Sequence, residues 1–127
     1  MYCVGVDIIE IDRIERGTAR WGERFLKRVY TEEELGICRN RAPALAVRFA
    51  AKEAVMKALG TGIKGVGWRD IEVLSNSDGK PLVYLYGRAQ KKVEELGLGE
   101  LAVSLSHSRE YAIASVVGGR IEDRDHR

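Results

Sequence analysis

The chain has 127 residues, a net charge of +2, 45% hydrophobic residues and 31% charged residues. Such a chain is a single domain with enough apolar residues for a real core, which excludes an intrinsically disordered polypeptide. A bulk charge this small points to no class of partner, and no apolar run reaches the length of a membrane span.

Met1-Tyr2-Cys3 leads directly into a β-branched run, so residues 3–9 are predicted to be a strand with no signal peptide before it. Asp7 interrupts that run. A carboxylate in a buried strand is costly unless it is paired, bound to a cation or hydrogen-bonded by the following turn. Residues 12–27 read as a helix, with Ile11, Ile14, Trp21 and Phe25 at helical spacing. Residues 11–28 carry 6 basic against 3 acidic side chains. Arg13, Arg16, Arg20 and Arg24 are spaced three, four and four, which places all of them on one helix face. That stripe is either a docking surface for an acidic partner or a solvated face partly compensated by Asp12, Glu15 and Glu23. Thr31 with Glu34 forms a capping box opening a short helix from Glu32 to about Arg39.

Pro43 suits the first turn of a long helix ending near Gly60. Glu53 and Lys57 lie one turn apart on it, with Ala51, Ala54, Val55 and Ala58 as a small apolar face. Glu at i with Lys at i+4 can be a plain surface pair. It can equally be a carboxylate for a hard cation beside an ammonium for phosphoryl oxygens. Gly60, Gly62, Gly65 and Gly67 make a flexible connection, and Gly60-Thr61-Gly62 either ends the helix or lets amides approach a phosphate. Trp68–Leu74 is read as a half-buried strand, Asn76–Gly79 as a turn and Pro81–Tyr86 as the returning strand of a hairpin. A helix over Arg88–Leu96 stops at Gly97, and Leu101–Ser106 pairs with Tyr111–Val117. This order gives an α+β fold, an antiparallel sheet with helices packed on one side. Cys3 and Cys38 have neither metal-ligand nor disulfide spacing, so both are expected as reduced, buried residues of a cytoplasmic protein.

The pair of segments Gly5-Val6-Asp7-Ile8, with Ile11 and Arg13, and Phe49-Ala50-Ala51-Lys52-Glu53-Ala54 through Lys57-Ala58-Leu59-Gly60 resembles the signature of the phosphopantetheinyl transferases. Chain length and Leu105-Ser106-His107-Ser108 are similar to the holo-acyl-carrier-protein synthase branch of that family. Val29–Leu35 and Gly60–Ile63 also match it. The resemblance implies a 4′-phosphopantetheinyl transferase-like fold in a single domain over residues 1–118, with a charged tail over 119–127. It implies transfer of 4′-phosphopantetheine from coenzyme A to a serine of apo acyl carrier protein, giving 3′,5′-ADP. It further implies a homotrimer with sites at subunit interfaces.

On that resemblance Asp7 and Glu53 hold Mg²⁺, with Mn²⁺ as an alternative, and Asp7, Glu53 and Lys57 are the catalytic residues. Coenzyme A contacts fall to Lys57, Gly60, Ser106, His107, Arg48 and Lys80. For Arg48 the other reading is an ion pair with an acid such as Glu33, and for His107 a structural role or, less favoured, a general base. The arginine stripe becomes the carrier-protein docking surface, with Arg13 inside the first signature. Neither nucleic acid nor a membrane is an expected partner. Three rival readings remain: a nucleic-acid module on the arginine stripe, a metal-dependent nucleotide hydrolase on the same carboxylates, and a non-catalytic carrier- or coenzyme A-binding protein.

Overall fold

In a computed structural model, which describes residues 1–121, the elements are strands β1 (Tyr2–Glu10), β2 (Ile71–Ser75), β3 (Pro81–Leu85), β4 (Leu98–His107) and β5 (Tyr111–Arg120). The helices are α1 (Ile11–Trp21), α2 (Glu23–Val29), α3 (Glu32–Cys38), α4 (Ala42–Leu59), the short α5 (Gly62–Gly65) and α6 (Gly87–Leu96). The strands divide into a three-stranded antiparallel sheet in the order β1-β5-β4 and a separate β2–β3 hairpin. β5 runs on through Gly119 and Arg120, past the expected end of the domain, and the rest of the expected tail, 122–127, lies outside the described residues.

The inner face of the sheet is built from small residues. Gly5 and Ile9 of β1 and Ala112, Ala114 and Val116 of β5 are buried there against α4. α4 offers Ala46, Ala50, Ala51 and Ala54, all with no exposed surface, so helix and sheet approach closely. Pro lies in the first turn of α4, and Gly60 closes the helix in the left-handed conformation at φ 73°. The outer face of the same sheet carries Val4, Val6 and Ile8 beside Tyr111, Ile113 and Val117, all exposed.

α4 is more deeply buried than its alanine stripe predicts. From Leu45 to Leu59 only Glu53, Lys57 and Ala58 are not buried. Two of its cations are inside as well. Lys52 is fully buried, forms an ion pair of 2.8 Å with Glu34, itself fully buried, and donates to the carbonyls of Trp68 and Ile71. Glu34 Oε2 accepts the Val73 N–H (2.8 Å), while Oε1 accepts the Thr31 N–H (2.9 Å) and completes the expected capping box. Thr31 Oγ1 donates to the nearby Glu72 carboxylate at 2.6 Å. This polar network joins α3, α4 and the hairpin, and every charge in it has partners, as burial requires.

Three predicted elements differ, one being the glycine-rich connection, part of which folds as α5. The helix expected over residues 12–27 is two helices, because Gly22 takes φ 57° and its N–H closes α1 on the Thr18 carbonyl (2.8 Å). Trp68–Asp70 is a 3₁₀ turn rather than strand. The Asp70 carboxylate accepts the Gly67 N–H and folds that turn, while the Trp68 ring stacks on Phe49 at 4.8 Å.

Candidate active site

β1 and α4 together assemble the site. Asp7 lies on the inner face of β1, where the sheet's period of two puts it in line with buried Gly5 and Ile9. Its side chain is only 11% exposed. Beyond its first turn, α4 leaves only Glu53, Lys57 and Ala58 outside the core. Lys57 Nζ donates to Asp7 Oδ1 at 2.8 Å and to the Val6 carbonyl at 3.2 Å. The Asp7 hydrogen bond and charge raise the Lys57 pKa, so the ammonium stays protonated. Burial, and then the nearby Asp7 charge, raise the Glu53 pKa, opposed by Arg13 and Lys57. Two carboxylates are thus crowded on one side of a single ammonium, with Arg13 close enough to act on Glu53.

That crowding is the test of fit for a divalent cation. Like charges brought together in a half-buried site are relieved by a hard cation, and both available ligands are carboxylates. No third His, Cys, Asp or Glu joins them among the described residues. An ion here would keep several waters or take oxygens from a phosphate, as Mg²⁺ does at sites with one or two protein carboxylates.

The other expected contacts scatter. Arg48 is buried, its Nε donates to the Val73 carbonyl (2.9 Å), and its terminal nitrogens reach the Ala44 carbonyl (3.3 Å) and Ser75 Oγ (3.4 Å). These three hydrogen bonds turn the guanidinium toward its own helix and the hairpin. The Gly60 N–H donates to the Lys57 carbonyl and the Thr61 N–H to that of Met56, so these amides close the helix. Ser106 and His107 lie on β4, whose register with β5 puts Leu105 level with Ala114, the partner of Asp7. They therefore stand about two strand spacings, near 10 Å, from the carboxylate strand of their own chain. Ser106 points to the outer face, and the His107 ring is exposed with Nδ1 3.3 Å from the Ser108 carbonyl oxygen.

Lys80, at the hairpin tip, lines a groove of about 980 Å³ between β3 and β4 with Tyr2, Tyr84, Leu101 and Val103. Its lining contains none of Asp7, Glu53 and Lys57. The chemistry is assigned to the carboxylates, because concavity alone supplies no reactive group. A shallow depression is lined by Arg13, Arg16, Arg20 and Trp21 on α1. Arg20 stacks on the Trp21 ring (4.8 Å) and Arg13 sits over Phe49 (5.8 Å). Arg16 pairs with Asp12 at 3.0 Å in solvent. Arg24 belongs to α2, beyond the Gly22 break, so the stripe on α1 is three arginines and not four.

Comparison with known proteins gives the context for this arrangement. A holo-acyl-carrier-protein synthase of Herpetosiphon aurantiacus is 54% identical over 125 residues, covering 93% of this chain and 98% of that protein. One from Dehalococcoides mccartyi is 55% identical over 117 residues, covering 92% and 98%. Among solved structures, the Helicobacter pylori holo-acyl-carrier-protein synthase in complex with coenzyme A superimposes with a TM-score of 0.84 at 34% identity, over 91% of this chain and 99% of that one. Residues 3–116 match the sequence profile of the 4′-phosphopantetheinyl transferase superfamily, so the chain belongs to that superfamily and is a transferase of the holo-acyl-carrier-protein synthase kind.

Proposed function

We propose that this chain transfers 4′-phosphopantetheine from coenzyme A to a serine of an apo acyl carrier protein, using Asp7, Glu53 and Lys57 as its catalytic group. The observation that carries the assignment is the Lys57–Asp7 contact of 2.8 Å beside Glu53, at positions that a largely buried helix leaves open.

The serine hydroxyl oxygen attacks the phosphorus that bears pantetheine. The bond to the bridging pyrophosphate oxygen breaks, and 3′,5′-ADP leaves with the electron pair. Charge spreads over phosphoryl oxygens throughout, so positioning and electrostatics dominate. A divalent cation held by Asp7 and Glu53, Mg²⁺ or Mn²⁺, supplies positive charge to those oxygens when bound. Lys57 places its ammonium against the departing phosphate. Glu53, a partly exposed carboxylate on α4 beside Asp7 and Lys57, is our choice to take the serine proton.

The exposed guanidiniums of Arg13, Arg16 and Arg20 form the docking face for an acidic carrier protein, with Arg24 flanking it on α2. The working unit is a homotrimer. Two observations support this: the outer sheet face exposes Val4, Val6, Ile8, Ile113 and Val117 together, and Ser106 and His107 stand apart from the carboxylates of their own chain. A neighbouring copy would bring its Ser106, His107 and Lys80 to the coenzyme. Free thiols on Cys3 and Cys38 suit a reducing cytoplasm. Among the described residues no helix is long and apolar enough to cross a membrane.

The test is the intact mass of an apo acyl carrier protein after incubation with this protein, coenzyme A and Mg²⁺. A gain of one phosphopantetheine, lost with EDTA and with Glu53→Gln, is expected. Coenzyme A cleavage without that gain would instead favour a hydrolase.

A further inference from the structure

Gly5 touches the backbone of α4, not its side chains. A Cβ at this position would lie 1.9 Å from the Ala54 carbonyl oxygen and 2.9 Å from both the Ala54 carbonyl carbon and the Ala58 nitrogen. These contact points are each one residue from a functional group, Ala54 from Glu53 and Ala58 from Lys57. Asp7 is two residues further along the same face of β1. Gly5 is in extended β1 without a positive φ, so the backbone there does not itself demand glycine. Only the space does.

We infer that Gly5 is a positioning residue: its missing side chain sets the depth at which β1 rides on α4, and thereby the gap between the Asp7 and Glu53 carboxylates. The inference rests on the reading of those two as a divalent-cation site. An ordinary carbon–oxygen contact is about 3.3–3.6 Å, so a methyl group at Gly5 forces strand and helix apart by roughly 1.4 Å or more. No side chain can yield, since the obstructing atoms are backbone. Lys57, long and 57% exposed, can follow Asp7 across such a shift. Glu53, on the same helix but with a shorter and half-buried side chain, follows less far. Mg²⁺ demands near-octahedral geometry at about 2.0–2.1 Å, whereas Ca²⁺ accepts irregular shells at about 2.3–2.6 Å. A widened gap therefore penalises the smaller ion more.

The experiment titrates Mg²⁺ and Ca²⁺ into the folded, coenzyme A-loaded protein by calorimetry, for the unaltered chain, Gly5→Ala, Glu53→Asp and Gly118→Ala. Glu53→Asp withdraws the carboxylate by one methylene without touching the strand–helix contact, so it tests the gap even if Gly5→Ala fails to fold. Gly118→Ala is the control: its Cβ would meet Leu101 Cδ2 at 2.5 Å and Cys3 Sγ at 3.2 Å, a clash with side chains away from the carboxylates. The expected result is a Mg²⁺ affinity about tenfold lower in Gly5→Ala and Glu53→Asp, with Ca²⁺ changed about two- to threefold. Gly118→Ala should keep the parent ratio. An unchanged Mg²⁺/Ca²⁺ ratio in Glu53→Asp and in any folded Gly5→Ala overturns the inference while leaving the metal site standing. Failure of the unaltered protein to bind either ion overturns the metal reading, and this inference with it.

Discussion

Lys52→Met is the most informative perturbation of the framework that holds the site. It deletes an ammonium with no exposed surface and leaves three acceptors behind: Glu34 at 2.8 Å and the carbonyls of Trp68 and Ile71. Removing one partner of a buried pair costs about 3–5 kcal/mol, because the other charge is left uncompensated. For a domain of this size that is a fall in Tm of roughly 10–20 °C, a large share of the total stability. Glu34→Gln attacks the pair from the other side. Burial already lowers the Lys52 pKa, and the Glu34 charge is the chief opposing influence. Without Glu34 the lysine gives up its proton at still lower pH. The unfolded chain then holds more protons than the folded one from that point up to about 10.4, so stability rises with pH across the window. The deficit of Glu34→Gln should accordingly shrink as pH rises toward the Lys52 midpoint of the parent protein, itself below the ordinary lysine value. The assay is urea unfolding followed by far-ultraviolet circular dichroism for both single variants and the double variant. A coupling energy of about 2–3 kcal/mol is expected. Coupling under about 0.5 kcal/mol, with a pH-independent Glu34→Gln deficit, would refute the view that this ion pair locks α4 to the hairpin.

Glu53→Gln should keep the fold and abolish transfer, since its side chain is half-buried at the open stretch of α4 and lies outside the core; loss of the far-ultraviolet spectrum would contradict this. With its pKa raised, Glu53 takes a proton at higher pH than an ordinary glutamate, so divalent-cation affinity should fall on acidification from a correspondingly higher pH. The metal-free fold should show the opposite sign, gaining stability relative to Glu53→Gln as pH falls through the raised midpoint; parallel denaturation curves at several pH values check both. Arg20→Glu should weaken carrier-protein affinity about tenfold with little change in coenzyme A binding, measured by separate titrations, and equal loss of both would count against the docking face. Val6→Lys, on the exposed outer face of β1, should shift the protein to monomer in analytical ultracentrifugation and suppress transfer with Asp7, Glu53 and Lys57 intact.

How much of this was legible depended on whether the informative feature was local. The i,i+4 spacing located Glu53 and Lys57, and Asp7 stood out as a charge in an apolar strand, so these three, with Lys57 and Asp7 2.8 Å apart, were readable as a set. The Thr31–Glu34 capping box was local too, and its hydrogen bonds are present. What the box concealed is that Glu34 has a second oxygen, which serves Val73 thirty-nine residues away. Arg48 read as a phosphate contact or a partner of Glu33, and Lys52 only as part of a motif, because nothing within a turn of them reports that acceptors come from β2 and the turn before it. Gly22 was a missed signal of a simpler kind. A glycine between a tryptophan and a glutamate, in the middle of a predicted helix, is a candidate stop and new start.

The same long-range packing explains why the site is precise with so few catalytic residues. α4 is held by the alanine face against the sheet, by Gly5 against its own backbone, and by Lys52 and Arg48 against the hairpin. The sheet and the hairpin hold it from different sides, and beyond its first turn they leave open only Glu53, Lys57 and Ala58. A helix so fixed presents its carboxylate and ammonium without a loop to order, so little conformational entropy remains to be lost when a phosphate arrives. The groups most exposed to substrate chemistry are thus placed by residues that never meet it. Variants of Gly5, Arg48 or Lys52 that still fold should therefore impair transfer by misplacing Glu53 rather than by removing a contact to coenzyme A.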